Sequence, residues 1–94
     1  MVLYMNRYKV RPGGIEALVN EINGTGLEES FRSLPGRIKF DFSVAVKDED
    51  TLYLNDLWAD EESFENHRHS EASAVWREIK EKYVLETELQ RYDI

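Results

Sequence analysis

An imidazole is the side chain best suited to moving a proton near neutrality, and this chain carries two, His67 and His69. An unperturbed histidine titrates at about pH 6.5, so small changes in its surroundings make it a working base or acid. Two positions apart means about 200° around an α-helix. The pair therefore cannot jointly hold one metal ion from a regular helix, and His69 reads as surface. His67 falls with the apolar positions Phe64, Val75, Trp76, Ile79 and Tyr83. It is a candidate base if a cavity forms beneath that face, and a packed histidine if none does. Asn6 stands mid-run between Tyr4 and Tyr8. Asparagine is disfavoured in strands, so its amide either donates to a ligand oxygen, including a peroxide formed from dioxygen, or binds a neighbouring side chain or water. Asp56 and Trp58 share a strand face. The carboxylate either fixes the tautomer of His67 or pairs with Arg7 or Arg37, the plain ion pair being the simpler arrangement. Trp58 reads as core at a cavity edge. With Tyr4, Tyr8, Tyr53, Phe40, Phe42 and Trp76 it makes an aromatic-rich interior, whose lining would suit a flat aromatic ligand.

Other chemistry is excluded by composition. With no cysteine among 94 residues there is no disulfide framework, thiolate metal site or cysteine nucleophile. The charged run Asp60-Glu61-Glu62 is a helix start, not a metal site. Phosphate loops, dinucleotide fingerprints, flavin motifs and a Ser-His-Asp constellation are absent. A net charge of −7 without a basic cluster argues against a nucleic-acid partner. No apolar run approaches the ~18 residues of a membrane span, and the amino terminus lacks the layout of a secretion signal. A cytoplasmic protein of one domain over residues 1–94 is expected.

Six elements must position these groups. Val2 to Val10 reads as a strand stopped by Pro12-Gly13-Gly14. Ile15, Leu18, Val19 and Ile22 recur at helical spacing, with a break expected at Gly24 and Gly26, after which Leu27, Phe31 and Leu34 resume the apolar face. Ile38, Phe40, Phe42, Val44 and Val46 alternate with mostly polar residues, predicting a strand with one buried face. Asp48-Glu49-Asp50 turns the chain into a hairpin with Thr51 to Trp58. Asp60 caps a helix, acidic in its first turn, with a bend at Ser70 to Ser73, and Val84 to Tyr92 is the last strand. The order is the α+β, ferredoxin-like βαββαβ pattern: a four-stranded antiparallel sheet with two helices on one face. Leu3 and Met5 oppose Val2, Tyr4 and Val10, and Tyr53 and Leu57 oppose Leu52, Leu54 and Trp58, so both faces are partly apolar and the helices leave one of them uncovered. A chain of this length buries only about 60–65% of its unfolded surface, so that face is expected to pack against a second copy.

Three stretches together resemble the antibiotic biosynthesis monooxygenase domain family, of dimeric α/β-barrel architecture. They are Val10-Arg11-Pro12-Gly13, then Leu34-Pro35-Gly36-Arg37-Ile38-Lys39-Phe40-Asp41-Phe42, then Asp56-Leu57-Trp58 followed by Asp60-Glu61-Glu62-Ser63-Phe64-Glu65-Asn66-His67. The resemblance implies a homodimer joined through the sheet face. It also implies cofactor-independent monooxygenation of a small electron-rich aromatic such as a quinol or polyphenol. In that reading His67 is the base, Asn6 stabilises the oxygen-bearing anion, and Phe40, Trp58, Asp56 and Tyr8 contact the substrate. The chain departs from the family at Ser70-Glu71-Ala72, where Ser-Pro-His is frequent, at Phe40, often Tyr, and at Asp56, often Glu. Those departures support an alternative, a non-catalytic dimeric module binding a small molecule. Haem-degrading relatives pair a strand Asn with a Trp and a His ligand. Asn6 fits, but His67 stands where they have Trp, and Trp76-Arg77 where the ligand falls.

Overall fold

Glycine and serine each split a crossover in two. In the computed structural model, which describes residues 1–94, β1 (Val2–Val10) leads into α1 (Ile15–Thr25). Gly26 ends α1 in the left-handed region at φ 66°, where glycine has no steric penalty, and α2 (Leu27–Arg32) restarts in a new direction. The hairpin β2 (Arg37–Val44) and β3 (Thr51–Trp58) follows. Asp60 caps α3 (Glu61–His67) by accepting from the Ser63 N–H, and Ser70 caps α4 (Glu71–Tyr83) by accepting from the Ser73 N–H. β4 (Val84–Asp93) closes the chain. The bends expected near Gly26 and Ser70 are therefore full helix boundaries.

The four strands form one antiparallel sheet in the order β2-β3-β1-β4. This is the ferredoxin-like arrangement, with helices on one face. Val2, Tyr4, Tyr8 and Val10 of β1 and Leu52, Leu54, Asp56 and Trp58 of β3 are buried on that side. The core has two parts. One surrounds Tyr8, Leu18, Phe31, Phe40, Leu54 and Trp76, and the other is Val2, Tyr4 and Trp58. No helix is long and apolar enough to cross a membrane.

β2 departs from the expected pattern. Phe40 is buried and Phe42 half-buried, but Ile38, Val44 and Val46 are 52%, 46% and 100% exposed. The cause is a register shift between Arg37 and Lys39. Arg37, opposite Trp58, takes the inward place that strict alternation gives to Ile38. Val44 lies at the open edge of the sheet, and Val46 lies beyond the strand. Just before β2, Gly36 adopts φ 81° and passes so close to α3 that a Cβ would overlap the Ser63 hydroxyl. Its carbonyl accepts from the Ala59 N–H at 2.8 Å, tying the start of β2 to the end of β3.

Candidate functional site

Between the helices and the sheet lies a cavity of about 450 Å³, within the range of small-molecule sites. Tyr4, Asn6 and Tyr8 on β1, Phe40 on β2 and Leu54 and Asp56 on β3 form its floor. Phe64 and His67 of α3 and Ser73 and Trp76 of α4 form its walls, and Phe31 of α2 adds to them. It opens to solvent where the exposed side chains Glu65, Arg68, Arg77 and Leu89 line it. Asn6, Tyr8, Phe40, Asp56 and His67 are thus brought together from four elements, β1, β2, β3 and α3. Trp58 is not with them. It is fully buried and lies behind the wall, in the smaller core cluster. Its indole carries the site from below, against the expectation of a cavity-edge contact. The reason is Arg37, whose guanidinium lies 3.9 Å over the indole and fills the space beside it.

His67 is half-buried in an aromatic setting. Its ring centroid is 4.9 Å from those of Trp58 and Phe64 and 6.0 Å from that of Phe31. Burial pushes its pKa below the ordinary histidine value; the Phe64 carbonyl partly opposes this, and the positive charges of Arg37 and Arg68 add to it. The ring is therefore neutral at physiological pH. Nδ1 meets the Phe64 carbonyl oxygen. A carbonyl only accepts, so Nδ1 carries the hydrogen and the basic lone pair is on Nε2. Phe64, rather than Asp56, orients the imidazole. His69 follows α3 and is exposed, as expected.

Asp56 pairs with Arg37. Nε lies 2.9 Å from Oδ1, and the two side chains are 1% and 6% exposed. The contact is off the hydrogen-bond line, so Arg37 Nε and Asp56 Oδ1 remain buried without a hydrogen bond, as do Arg37 Nη2 and the Trp58 indole nitrogen beside them. Burial raises the Asp56 carboxyl to about 6, opposed by the charge of Arg37 and by the Trp58 indole. Burial likewise lowers Arg37 to about 10, opposed by Asp56. Arg37 Nη1 donates to the Phe31 carbonyl at 2.8 Å, and the guanidinium also covers the rings of Phe40 and Phe31 at 4.6 and 4.9 Å. A cation and an indole are thereby layered behind the imidazole that faces the cavity. Burial also holds the Tyr8 phenol well above its ordinary value, so Tyr8 is a neutral donor. Asn6 is only partly buried and has no protein hydrogen-bond partner for its amide.

Sequence reasoning missed Lys80, Arg77 and Ser73 as lining residues. Lys80 follows Trp76 by four positions and so shares its helix face; that spacing was the available signal. No three His, Asp or Glu side chains gather closely enough to ligate one ion.

A family model described as "Antibiotic biosynthesis monooxygenase" matches residues 1–79. Among solved structures, a candidate antibiotic biosynthesis monooxygenase from Nitrosomonas europaea superposes with a TM-score of 0.89 at 17% identity, covering 100% of this chain and 98% of that one. A protein of Pseudomonas aeruginosa gives 0.87 at 19% identity, covering 99% and 92%. A conserved protein from Methanosarcina mazei gives 0.82 at 21% identity, covering 97% and 89%. At these identities the likeness is one of fold. No curated protein matches the chain.

Proposed function

The chain belongs to the antibiotic biosynthesis monooxygenase family, and on that premise we propose that it is a cofactor-independent monooxygenase of a small electron-rich aromatic, a quinol or polyphenol. The observation that carries this reading is His67. A neutral imidazole, its Nδ1–H held by a backbone carbonyl and its Nε2 free, stands in the wall of an aromatic-lined cavity. Removing a hydroxyl proton from a quinol gives an anion that passes an electron to dioxygen directly. The substrate gains one oxygen atom and loses two hydrogens, and the second oxygen leaves as water. His67 takes the proton, Phe40 and Trp76 hold the ring, and the Asn6 amide donates to the anionic oxygen. Asp56 and Tyr8 complete the contacts from the floor. The reading is tested by oxygen uptake with a panel of quinols. His67→Gln should lower kcat by about 10²- to 10⁴-fold. Its pKa lies below the ordinary value, so the base form persists through neutrality. Activity should fall only on the acid side, at a midpoint that matches the His67 titration followed by proton NMR. Because Asp56 titrates at about 6 in the same cavity, a limb that follows the carboxyl instead would remove His67 from the role. Ligand binding without oxygen uptake would favour the second reading, a non-catalytic binding module. That reading is supported by a floor whose strongest acid is already paired with Arg37 and by a phenyl group at position 40.

The open sheet face supports a homodimer. Leu3 sits in register between Leu57 and Tyr92, with Met5 two positions along, and Met5 and Tyr92 are 37% and 45% exposed. Contiguous apolar surface of this kind is characteristic of protein interfaces. Leu3→Arg should convert the dimer to monomer in sedimentation, and a wild-type monomer at micromolar concentration would remove the proposal. The cytoplasm is the proposed location.

A further inference from the structure

The cations of this chain are distributed unevenly. It has 12 Lys and Arg against 19 Asp and Glu, and most of the basic side chains lie within ion-pair distance of a carboxylate. Lys9, Arg11, Lys47, Arg77 and Lys80 do not, and of these five Arg77 and Lys80 alone stand at the cavity. They stand three residues apart on α4, on neighbouring positions of one helix face. The Lys80 ammonium is withdrawn from solvent over two aromatic faces, 5.9 Å from the Tyr8 centroid and 5.6 Å from the Trp76 centroid. Its pKa is held below the usual lysine value, by burial first and then by Arg77. Arg77 makes one protein contact with its guanidinium, a 3.4 Å bond to the Arg68 carbonyl. Two like charges held together, one of them desolvated and neither with a counter-ion, are costly in a protein that has a surplus of acids. Of the acids lining the cavity, Glu65 is engaged by Arg68 at 3.3 Å and Asp56 by Arg37, and Glu81, in the shallow depression beside Arg77 and Lys80, lies beyond ion-pair distance of both.

We propose that the ligand of this cavity is an aromatic bearing an anionic substituent, a carboxylate or phosphate ester, held at the mouth by Lys80 and Arg77. This rests on the reading of the cavity as an aromatic site and narrows its substrate class. The ring lies against Tyr8, Phe40 and Trp76, which line the cavity, and the anion supplies the missing counter-ion. A charge-assisted contact in a partly desolvated site is stronger than one at an open surface. The two cations also give an inward pull on an anion that the net charge of −7 would otherwise repel.

The experiment measures binding of 2,5-dihydroxybenzoate and of neutral 1,4-hydroquinone to the full-length protein by calorimetry, at two ionic strengths. The benzoate is expected to bind at least about tenfold more tightly at low salt, with the difference shrinking as salt rises. Lys80→Met keeps the apolar stem over Tyr8 and Trp76 and should abolish most of the preference, while Arg77→Gln should reduce it. Lys47→Met, on the remote β2–β3 turn, should leave it intact. Thermal melts establish that each variant is folded, and Arg77→Gln serves if Lys80→Met is not. Equal affinity for the two probes would overturn the proposal and leave the aromatic site standing. A preference that survives the loss of both cations would overturn it as well. If neither probe binds, the proposal and the cavity reading fall together.

Discussion

The two walls of the cavity are built differently. α4 spans 13 residues and buries Ala72, Ser73, Trp76, Ile79 and Tyr83. α3 spans seven and buries none. What holds α3 is directional. Asp60 caps it, and Glu61 accepts from the Tyr4 hydroxyl at 2.7 Å and from Arg91 Nη2 at 2.8 Å. Phe64 stacks on Tyr4 with centroids 3.8 Å apart. Area-driven burial is cooperative with the core, whereas caps and surface-linked carboxylates open locally. The candidate base is therefore on the lightly held wall and the cavity's two unpaired cations are on the firm one. Such a division lets one side yield to a ligand while the other fixes its position.

The comparison can be broken most directly at Trp76. Trp76→Ala should cost about 3–5 kcal/mol in urea unfolding; a loss below about 1 kcal/mol would mean that α4 is not held by its buried face. Arg37→Leu comes next. It retains part of the packing against Trp58 but strands the Asp56 carboxylate, and about 3 kcal/mol should be lost at neutral pH. This penalty depends on pH. The folded-state pKa of Asp56, about 6, lies above its ordinary value of 3.8. The group's contribution to stability is therefore largest below about pH 4 and declines as pH rises through about 6. Without Arg37 the carboxyl is raised further. The deficit of the variant should thus be smaller at pH 5 than at pH 8, and a pH-independent deficit would show that the pair is not ionic. The smallest effects are also the most discriminating. Asp60→Ala and Ser70→Ala remove the same kind of cap, each at about 1 kcal/mol. Asp60→Ala should speed amide exchange through α3 and lower His67-dependent oxygen uptake. Ser70→Ala should cost stability alone, and equal losses of activity would erase the distinction between the walls.

Much of this architecture is legible from residue pattern. β1 and β3 occupy the spans that tyrosine, valine and period-two alternation mark, Asp60 bounds a helix through its capping carboxylate, and Gly26 bounds one because it has no side chain to resist a positive φ. β2 misleads because alternation counts residues without knowing that a bulge removes one from the count. That single residue puts Arg37 inside in place of Ile38, and with it the cation that displaces Trp58 from the cavity. Five of the six site candidates share the cavity because each was a polar or aromatic residue on an inward strand or helix face. Lys80 and Arg77 escaped notice because a lysine or arginine on a helix is ordinarily solvated. Only the tertiary structure shows that theirs have no acid to meet.

Gly36 has one further consequence. The turn into β2 rests on the first helical turn before the imidazole, with only the Ser63 side chain between them. A methyl group introduced there would act as a shim, prising that short helix off its seat and lifting the ring at position 67 away from the indole beneath. The height of the candidate proton acceptor is thus gauged by a lone hydrogen atom on the glycine beneath its helix.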